Sequence, residues 1–198
     1  MEKVIVLASN NAHKLQEFQS FFKQFNIKII PMSDIANDID IKEDGNTFKE
    51  NSAIKAFSLQ KLTNLPILSD DSGIIINFLG NNLPGIYSHR MALENGGQDN
   101  FNNILIEKAS HNSDNSAHFE CCLCFILNNK DYYCYGRADG YIITEKLGSN
   151  GFGYDPIFYS IEAGKTFAQL SEEEKNKVSH RAKALQNLVI LLKELNFI

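Results

Sequence analysis

The sequence lacks any apolar run long enough to cross a membrane as a helix. Such a helix needs about 20 consecutive apolar residues, and no stretch of the chain approaches that length. The amino-terminal apolar run, Val4 to Ala8, is short and is followed at once by polar residues, so we expect no signal peptide. These absences predict a soluble, cytoplasmic protein with no membrane partner.

Basic residues are too few for a protein that binds a nucleic-acid polymer. Lys and Arg number 19 against 24 Asp and Glu, which gives a formal net charge of -5. A nucleic-acid-binding face normally needs a basic patch. The mild acidic balance therefore argues against such a face, although a small phosphate site can be basic inside an acidic protein.

Cysteine is scarce, and its placement argues against a shared metal site. Three of the four cysteines, Cys121, Cys122 and Cys124, lie on one predicted strand, and Cys134 lies on the next. Adjacent residues of a strand point to opposite faces, so the four thiols cannot all converge on one metal. We interpret them as reduced side chains that fill a sheet, as expected in the cytoplasm.

Internal repeats and low-complexity segments are also absent, and the 198 residues suit one domain or two closely joined lobes. Apolar periodicity predicts a mixed α/β order with an antiparallel hairpin in the second half. We predict strands at 3–8, 27–30, 67–68, 74–79, 118–127, 131–135 and 140–144, and helices at 14–25, 47–62, 100–108 and 178–195.

A polar turn between the first strand and the first helix is a candidate anion site. It reads Ser9-Asn10-Asn11-Ala12-His13-Lys14. The backbone N–H groups and the positive dipole of a helix start attract an anion, and Lys14 adds a cation. The GxxxxGK[ST] spacing of a P-loop is absent. An ordinary capped helix start is the alternative interpretation.

Carboxylates recur at two places that suit a metal. Glu43-Asp44 precedes the helix that Thr47 and Glu50 are expected to cap, and Asp70-Asp71 follows a short strand. Converging carboxylates repel one another unless a cation lies between them. Magnesium fits best, because it takes oxygen ligands and bridges to phosphate. For Asp70-Asp71-Ser72-Gly73 a simple turn is the alternative.

The glycine-rich segment from Gly148 to Pro156 is a candidate pocket for a nucleotide base. Its glycines allow close approach of the backbone, Phe152 and Tyr154 offer ring faces for stacking, and Asp155 offers an acceptor for a ring N–H. A loop that merely plugs a hydrophobic core is the alternative.

A basic segment near the carboxyl terminus suits a triphosphate tail or a base carbonyl, although a solvated basic face would look the same. On one unbroken helix its Lys175 and His180 would diverge by roughly 140°. Either they face different parts of a large ligand, or the helix breaks near Ser179, which would cap a new helix.

Taken together, six segments closely resemble the inosine triphosphate pyrophosphatase family of house-cleaning purine triphosphatases. They are SNNAHKLQE, EDGNTFKENSAIKA, LSDDSGI, LPGIYSHR, GSNGFGYDPIF and EEKNKVSHRAKAL, in the family order from Ser9 to Leu185. The resemblance implies an elongated α/β fold of two lobes around a central mixed sheet with flanking helices and a substrate cleft between the lobes. It also implies that residues 1–198 form one such domain, that the protein is a homodimer and that it requires Mg²⁺.

The resemblance assigns roles to individual residues. It assigns substrate contacts at the phosphate turn to Ser9, Asn10, Asn11 and Lys14, metal binding to Glu43 and Asp71, and the general base to Asp71. It assigns the other substrate contacts to Ser72, Phe152, Gly153, Tyr154, Asp155, Lys175, His180 and Arg181. The chain departs from the family at Asn10, where glycine is frequent, and at His89, where alanine is usual. Neither departure removes a catalytic group that the resemblance implies.

The activity implied is hydrolysis of ITP, dITP and XTP to the nucleoside monophosphate and pyrophosphate. Lys14, Lys175 and Mg²⁺ would compensate the triphosphate charge. Arg181 or His180 would donate to O6 of the base, while Asp155 or a backbone carbonyl would accept from N1–H, which disfavours adenine. Two other functions remain open: a phosphatase that forms an aspartyl-phosphate, and a nucleotide-binding module without turnover. The first expects a DxDx[TV] spacing that the chain lacks, and the second leaves the carboxylates without a purpose.

Overall fold

A seven-stranded sheet and six α-helices make up the fold in this computed structural model, which describes residues 3–36, 39 and 41–198. The strands are β1 (Lys3–Leu7), β2 (Ile27–Pro31), β3 (Ile67–Ile76), β4 (Ser116–Leu127), β5 (Lys130–Ile142), β6 (Phe158–Ser160) and β7 (Lys165–Thr166). The helices are α1 (Ala12–Lys23), α2 (Phe48–Gln60), α3 (Ser88–Glu94), α4 (Gln98–Ser110), α5 (Glu172–Val178) and α6 (His180–Glu194).

The sheet is mixed, with the strand order β2-β1-β3-β4-β5-β6-β7. β1 pairs in parallel with both β2 and β3, whereas β6 pairs antiparallel with β5 and β7. The predicted α/β class with a central mixed sheet and helices is therefore confirmed. The elongated outline, the cleft and the assignment of the whole chain to one domain stay predictions. None of the described helices combines the length and the hydropathy of a membrane span.

The chain divides into two compact units. The first comprises Met1–Asp71, Cys122–Tyr135 and Ala184–Ile198. Its core joins residues of α2, β3 and β4 with residues in and just after β1 and β2, all at most 4% exposed. They are Val6, Ala8, Met32, Ala56, Leu59, Ile67, Cys124 and Ile126. All four cysteines of the chain are buried and none takes part in a disulfide bond, as expected of side chains that pack in the sheet.

The second unit comprises Ser72–Cys121 and Gly136–Lys183. Aromatic rings dominate its core. Phe119 packs edge-on against Phe158 at 4.8 Å between centroids and stacks on Phe167 at 5.8 Å. Large rings bury much apolar area with few rotatable bonds, so this group gives the unit a rigid interior.

The strand break predicted between residues 68 and 74 is wrong, and so is the alternative of a turn at Asp70–Gly73. β3 runs unbroken from Ile67 to Ile76, through both aspartates. Asp, Ser and Gly favour turns only when the backbone lacks another partner, and here β3 pairs with β1 and lies next to β4 in the sheet. As a result, Asp70 and Asp71 are consecutive residues of an extended strand and point to opposite faces.

The carboxyl-terminal helical segment is broken near Ser179, which confirms the second of the two alternatives left open for Lys175 and His180. α5 ends at Val178, Ser179 is extended (φ -72°, ψ 157°), and α6 begins at His180. The Ser179 hydroxyl accepts a hydrogen bond from the N–H of Ala182 at 3.1 Å, which is the capping pattern of a new helix. The break reorients His180 and Arg181 relative to Lys175.

Candidate active site

The polar turn after β1 is built by its own side chains. Asn11 is the N-cap of α1, and its Oδ1 accepts from the N–H of Lys14 at 3.1 Å. The Ser9 hydroxyl accepts from the N–H of Asn11 at 3.2 Å. Asn10 and Asn11 are exposed at the helix start. The turn is thus a capped helix start that also presents polar groups to solvent beside a positive helix end.

Asp70 holds the cation of this turn. Its carboxylate, which is fully buried, pairs with the ammonium of Lys14, whose side chain is 16% exposed. A lysine restrained in this way keeps its charge near the turn. Sequence reasoning assigned Asp70 no separate role. A separate role could have been predicted, because two adjacent residues of a strand point to opposite faces and so contact different neighbours.

Lys55 is the residue that sequence reasoning missed. Its ammonium lies 2.6 Å from Glu43 Oε2 and 3.0 Å from Asp71 Oδ1, so it joins the two predicted metal ligands. Burial would lower the pKa of Lys55, but the carboxylates of Asp71 and Glu43 outweigh it, and the pKa is raised. Helical spacing could have predicted that Lys55 faces the interior, because Lys55 lies on the same buried face of α2 as Ser52 and Leu59.

Asp71 has the electrostatics of a proton acceptor. Burial raises the pKa of its carboxyl above the ordinary value, and the nearby ammonium groups of Lys55 and Lys14 counteract this only in part. A carboxylate whose pKa is raised accepts a proton more readily at neutral pH than an exposed one does. Perturbed carboxyls of this kind are typical of functional sites.

The same carboxylates fit a small divalent cation. Asp71 Oδ2 is buried and makes no hydrogen bond, which leaves one oxygen for a ligand. Within the described ranges no three His, Cys, Asp or Glu side chains form a ready metal cage. Mg²⁺ does not need one, because it commonly takes one or two carboxylates and completes its shell with water and substrate phosphates. Glu43 and Asp71 are the residues that would hold it.

In the second unit, the Gly148–Pro156 segment is organised by Asp155. Its Oδ2 accepts from the N–H of Phe152 at 2.8 Å and from the ammonium of Lys175 at 2.6 Å. A Cβ at Gly151 would lie 2.0 Å from that same oxygen, so glycine is required there. Asp155 is 3% exposed. The carboxylate that was expected to accept from a base therefore stabilises the loop itself.

Lys175 belongs to this loop as well. Its ammonium lies 4.9 Å from the centroid of the Phe152 ring, a cation–π contact, in addition to its ion pair with Asp155. The side chain is 9% exposed. Its charge is therefore paired within the loop, and the compensation of a triphosphate tail by Lys175 stays a prediction.

Of the two rings expected to stack on a base, only that of Phe152 is in a suitable position. Tyr154 is 5% exposed and packs edge-on against Phe101, with its hydroxyl donating to the Ser88 carbonyl at 2.8 Å. Burial raises the pKa of Tyr154 to about 12. Tyr154 therefore anchors the loop in the core, whereas the Phe152 ring is half-buried.

His180 and Arg181 lie at the start of α6. The His180 ring stacks on Phe119 at 4.5 Å between centroids and 8° between planes. Arg181 donates from Nη2 to the Ser72 hydroxyl at 2.8 Å. Both residues are buried, at 5% and 4% exposure. Their polar groups are thus held in fixed positions, as a site that discriminates by hydrogen bonds requires.

Two groups of predicted residues therefore assemble, one in each unit. The first contains the phosphate turn, Lys14 and the carboxylates around Lys55. The second contains the glycine-rich loop with Lys175, His180, Arg181 and Ser72. A buried lysine between carboxylates, as in the first group, is typical of a hydrolase that acts on a phosphorylated substrate. An aromatic loop with fixed donors, as in the second group, is typical of a pocket for an aromatic ring.

Comparisons with known proteins agree with this class. A model of the Ham1 family matches residues 5–191. The chain is 43% identical over 195 residues to a dITP/XTP pyrophosphatase of Coxiella burnetii, covering 96% of each protein. It is 42% identical over 189 residues to a dITP/XTP pyrophosphatase of Desulfotalea psychrophila, covering 95% of this chain and 84% of that protein. The chain belongs to the Ham1 family.

Solved structures lead to the same family. A HAM1 protein from Coxiella burnetii matches with a TM-score of 0.86 and 42% identity, covering 97% of this chain and 99% of that one. The Ham1 protein of Staphylococcus aureus matches with a TM-score of 0.85 and 38% identity, again over 97% and 99%. The fold and the order of the motifs are therefore those of the family along nearly the whole chain.

Proposed function

We propose that this protein hydrolyses dITP, ITP and XTP to the nucleoside monophosphate and pyrophosphate, and so cleanses the cytoplasmic nucleotide pool. The names of its relatives support the substrate class. The observation that carries the proposal is the Lys55 ammonium between the carboxylates of Glu43 and Asp71. That cluster brings a cation and a poised base together, as phosphoryl chemistry requires.

In the proposed mechanism, water attacks the α-phosphorus, and the bond from that phosphorus to the oxygen bridging the α- and β-phosphates breaks. Asp71 accepts the proton of the attacking water, for which its raised pKa suits it. Lys14, held by Asp70, and Lys55 stabilise the charge that develops on the phosphate oxygens. Pyrophosphate leaves with the electrons of the broken bond, so no covalent enzyme intermediate is needed.

We propose Mg²⁺ as the cofactor, held by Glu43 and Asp71. When bound, it would polarise the phosphate oxygens and neutralise part of the triphosphate charge. The partnerless buried Oδ2 of Asp71 supports this assignment. Removal of the metal with EDTA should stop turnover, and added MgCl₂ should restore it.

Base choice is proposed to depend on Arg181 and His180. A hypoxanthine or xanthine base carries an oxygen at C6 and a hydrogen on N1, whereas adenine presents an amino group and a bare nitrogen. Donors fixed at the start of α6 suit the O6 of the first pair and meet a donor in adenine. Because Asp155 is committed to its loop, the acceptor for N1–H is expected to be a backbone carbonyl.

A substrate panel with product identification tests the proposal. ITP, dITP, XTP, GTP and ATP are each incubated with the protein and MgCl₂, and pyrophosphate and orthophosphate are measured separately. Pyrophosphate from the deaminated purines, with far slower turnover of ATP and GTP, is expected. Orthophosphate as the product would instead indicate an aspartyl-phosphate phosphatase, and binding without turnover would indicate a regulatory module. The proposed homodimer is checked on the same sample by light scattering.

A further inference from the structure

One buried amide outside the predicted site contacts the glycine-rich loop. Asn102, on the inward face of α4, is 3% exposed. Its Nδ2 donates to the carbonyl oxygen of Gly153 at 2.9 Å. A buried side-chain amide is costly unless it is hydrogen-bonded, so this contact restrains the helix and the loop alike.

A second residue of the same helix orients that amide. Gln98 donates from Nε2 to Oδ1 of Asn102 at 2.9 Å. With its oxygen occupied in this way, Asn102 must present its NH₂ group to Gly153. Two residues of one turn of α4 therefore restrain the Gly153 carbonyl through consecutive side-chain hydrogen bonds.

The restrained peptide begins at a glycine that borders open space on one side. Gly153 has φ 67°, and a Cβ there would meet nothing within 4 Å. No atom of the described residues therefore packs against the position that a side chain of residue 153 would take. In a trans peptide the carbonyl and the following N–H point in opposite directions. The bond from Asn102 to the Gly153 carbonyl consequently also sets the direction of the Tyr154 N–H.

We propose that Asn102 is a positioning residue for base recognition: it holds the Gly153–Tyr154 peptide, and with it the adjacent Phe152 ring, in the conformation that binds the purine. This inference rests on the proposed function, because it assigns the loop to the base. A pre-organised loop binds its ligand without the entropic cost of ordering on binding. Loss of the restraint should weaken base recognition and leave the phosphate chemistry unchanged.

The test compares Asn102→Asp with Asn103→Asp, the same substitution at the exposed neighbouring position of α4. Asn102→Asp keeps the shape but replaces the donor by a carboxylate that faces a carbonyl. We expect KM for ITP to rise about ten-fold, the loss typical of one buried hydrogen bond, with kcat unchanged. The kcat/KM ratio of ITP to ATP should fall by a similar factor, and Asn103→Asp should behave as wild type.

A purely structural role gives a different result. Asn102→Asp would then melt earlier and lose activity on ITP and ATP in proportion, with KM unchanged, which would overturn the proposal. If Asn102→Asp does not fold, Gln98→Glu provides the second variant, since it removes the donor that orients Asn102 from a half-buried position. It should shift KM and the ITP/ATP ratio in the same direction but less, and wild-type values for both would contradict the proposal.

Binding measurements separate this inference from the proposed function. Calorimetric titration with the non-hydrolysable analogue α,β-methylene-ITP reports on the loop even in the absence of turnover. A wild type that hydrolyses no triphosphate refutes the proposed activity. A ten-fold weaker Kd for the analogue in Asn102→Asp, of the order that one hydrogen bond supplies, would still support the positioning role. An unchanged Kd, or a wild type that does not bind the analogue, overturns it.

Discussion

Replacing Asp71 by asparagine should separate the chemistry of this carboxylate from its structural cost. Asparagine has the same shape but can neither accept the proton of a water nor bind Mg²⁺ as an anion. Loss of a general base commonly costs about 10²–10⁴-fold in rate. We therefore expect kcat to fall by at least that factor at saturating MgCl₂.

The same substitution should not destabilise the protein. Burial raises the pKa of Asp71 above its ordinary value of 3.8, which means that the folded state disfavours the ionised form. The associated stability is complete below that ordinary value and is lost as the pH rises through the higher pKa of the folded state. The neutral amide of the Asp71→Asn variant would avoid this loss, while Lys55 keeps Glu43 at 2.6 Å. We therefore expect the Tm of Asp71→Asn at neutral pH to be slightly above that of the wild type.

Thermal melting in EDTA measures this effect, and Asp114→Asn is the matched control. Hydrogen bonds from Ser116 and Asn77 lower the pKa of Asp114, so its charge is favoured and its loss should lower Tm slightly without affecting turnover. The two identical substitutions should thus shift Tm in opposite directions. A Tm for Asp71→Asn well below wild type would refute the argument from burial, and near-normal turnover would refute the catalytic assignment.

Three further predictions follow from the two residue groups. Lys55→Met leaves two carboxylates without their shared cation, so unfolding by urea in EDTA should show a loss of about 3 kcal/mol, part of which MgCl₂ should recover; an undiminished stability would contradict the bridging role. The four buried cysteines, with the pKa of Cys124 raised to about 12, should react with Ellman's reagent at pH 8 only after unfolding, and rapid labelling of the native protein would contradict their burial. Arg181→Ala should reduce the ITP/ATP preference measured as a ratio of kcat/KM, whereas Phe152→Ala should weaken all purines alike; if Arg181→Ala keeps the preference, the base contact lies elsewhere.

Local signals predicted much of the fold. Asn128 and Asn129 both adopt positive φ, at 50° and 62°, as the tight hairpin turn between β4 and β5 requires. Ser171 and Glu174, which have the three-residue spacing of a capping box, form one at the start of α5. At α2 the pattern is shifted, because the Glu50 carboxylate accepts from the N–H of Asn46 and not from that of Thr47. These features depend on residues three or four apart, which the sequence displays directly.

Features that depend on contacts between residues far apart in the sequence could not be predicted from local patterns. The turn-forming residues at Asp70–Gly73 are extended because of sheet pairing, and helix α3 lies in a segment for which no helix was predicted. In the site, the resemblance selected the residues but not their partners. It could not reveal that Asp155 binds Lys175 or that Tyr154 is buried. Side-chain pairing across the core depends on packing, which no local pattern encodes.

Hydrolysis of ITP in ¹⁸O-labelled water tests the central claim most directly. If Asp71 directs water to the α-phosphorus, the wild-type protein with MgCl₂ should place one ¹⁸O atom in inosine monophosphate and none in pyrophosphate, as mass spectrometry of the two products would show. Label in pyrophosphate would place the attack on the β-phosphorus, and labelled orthophosphate would indicate cleavage at the γ-phosphorus. Either of these results would contradict the proposed reaction.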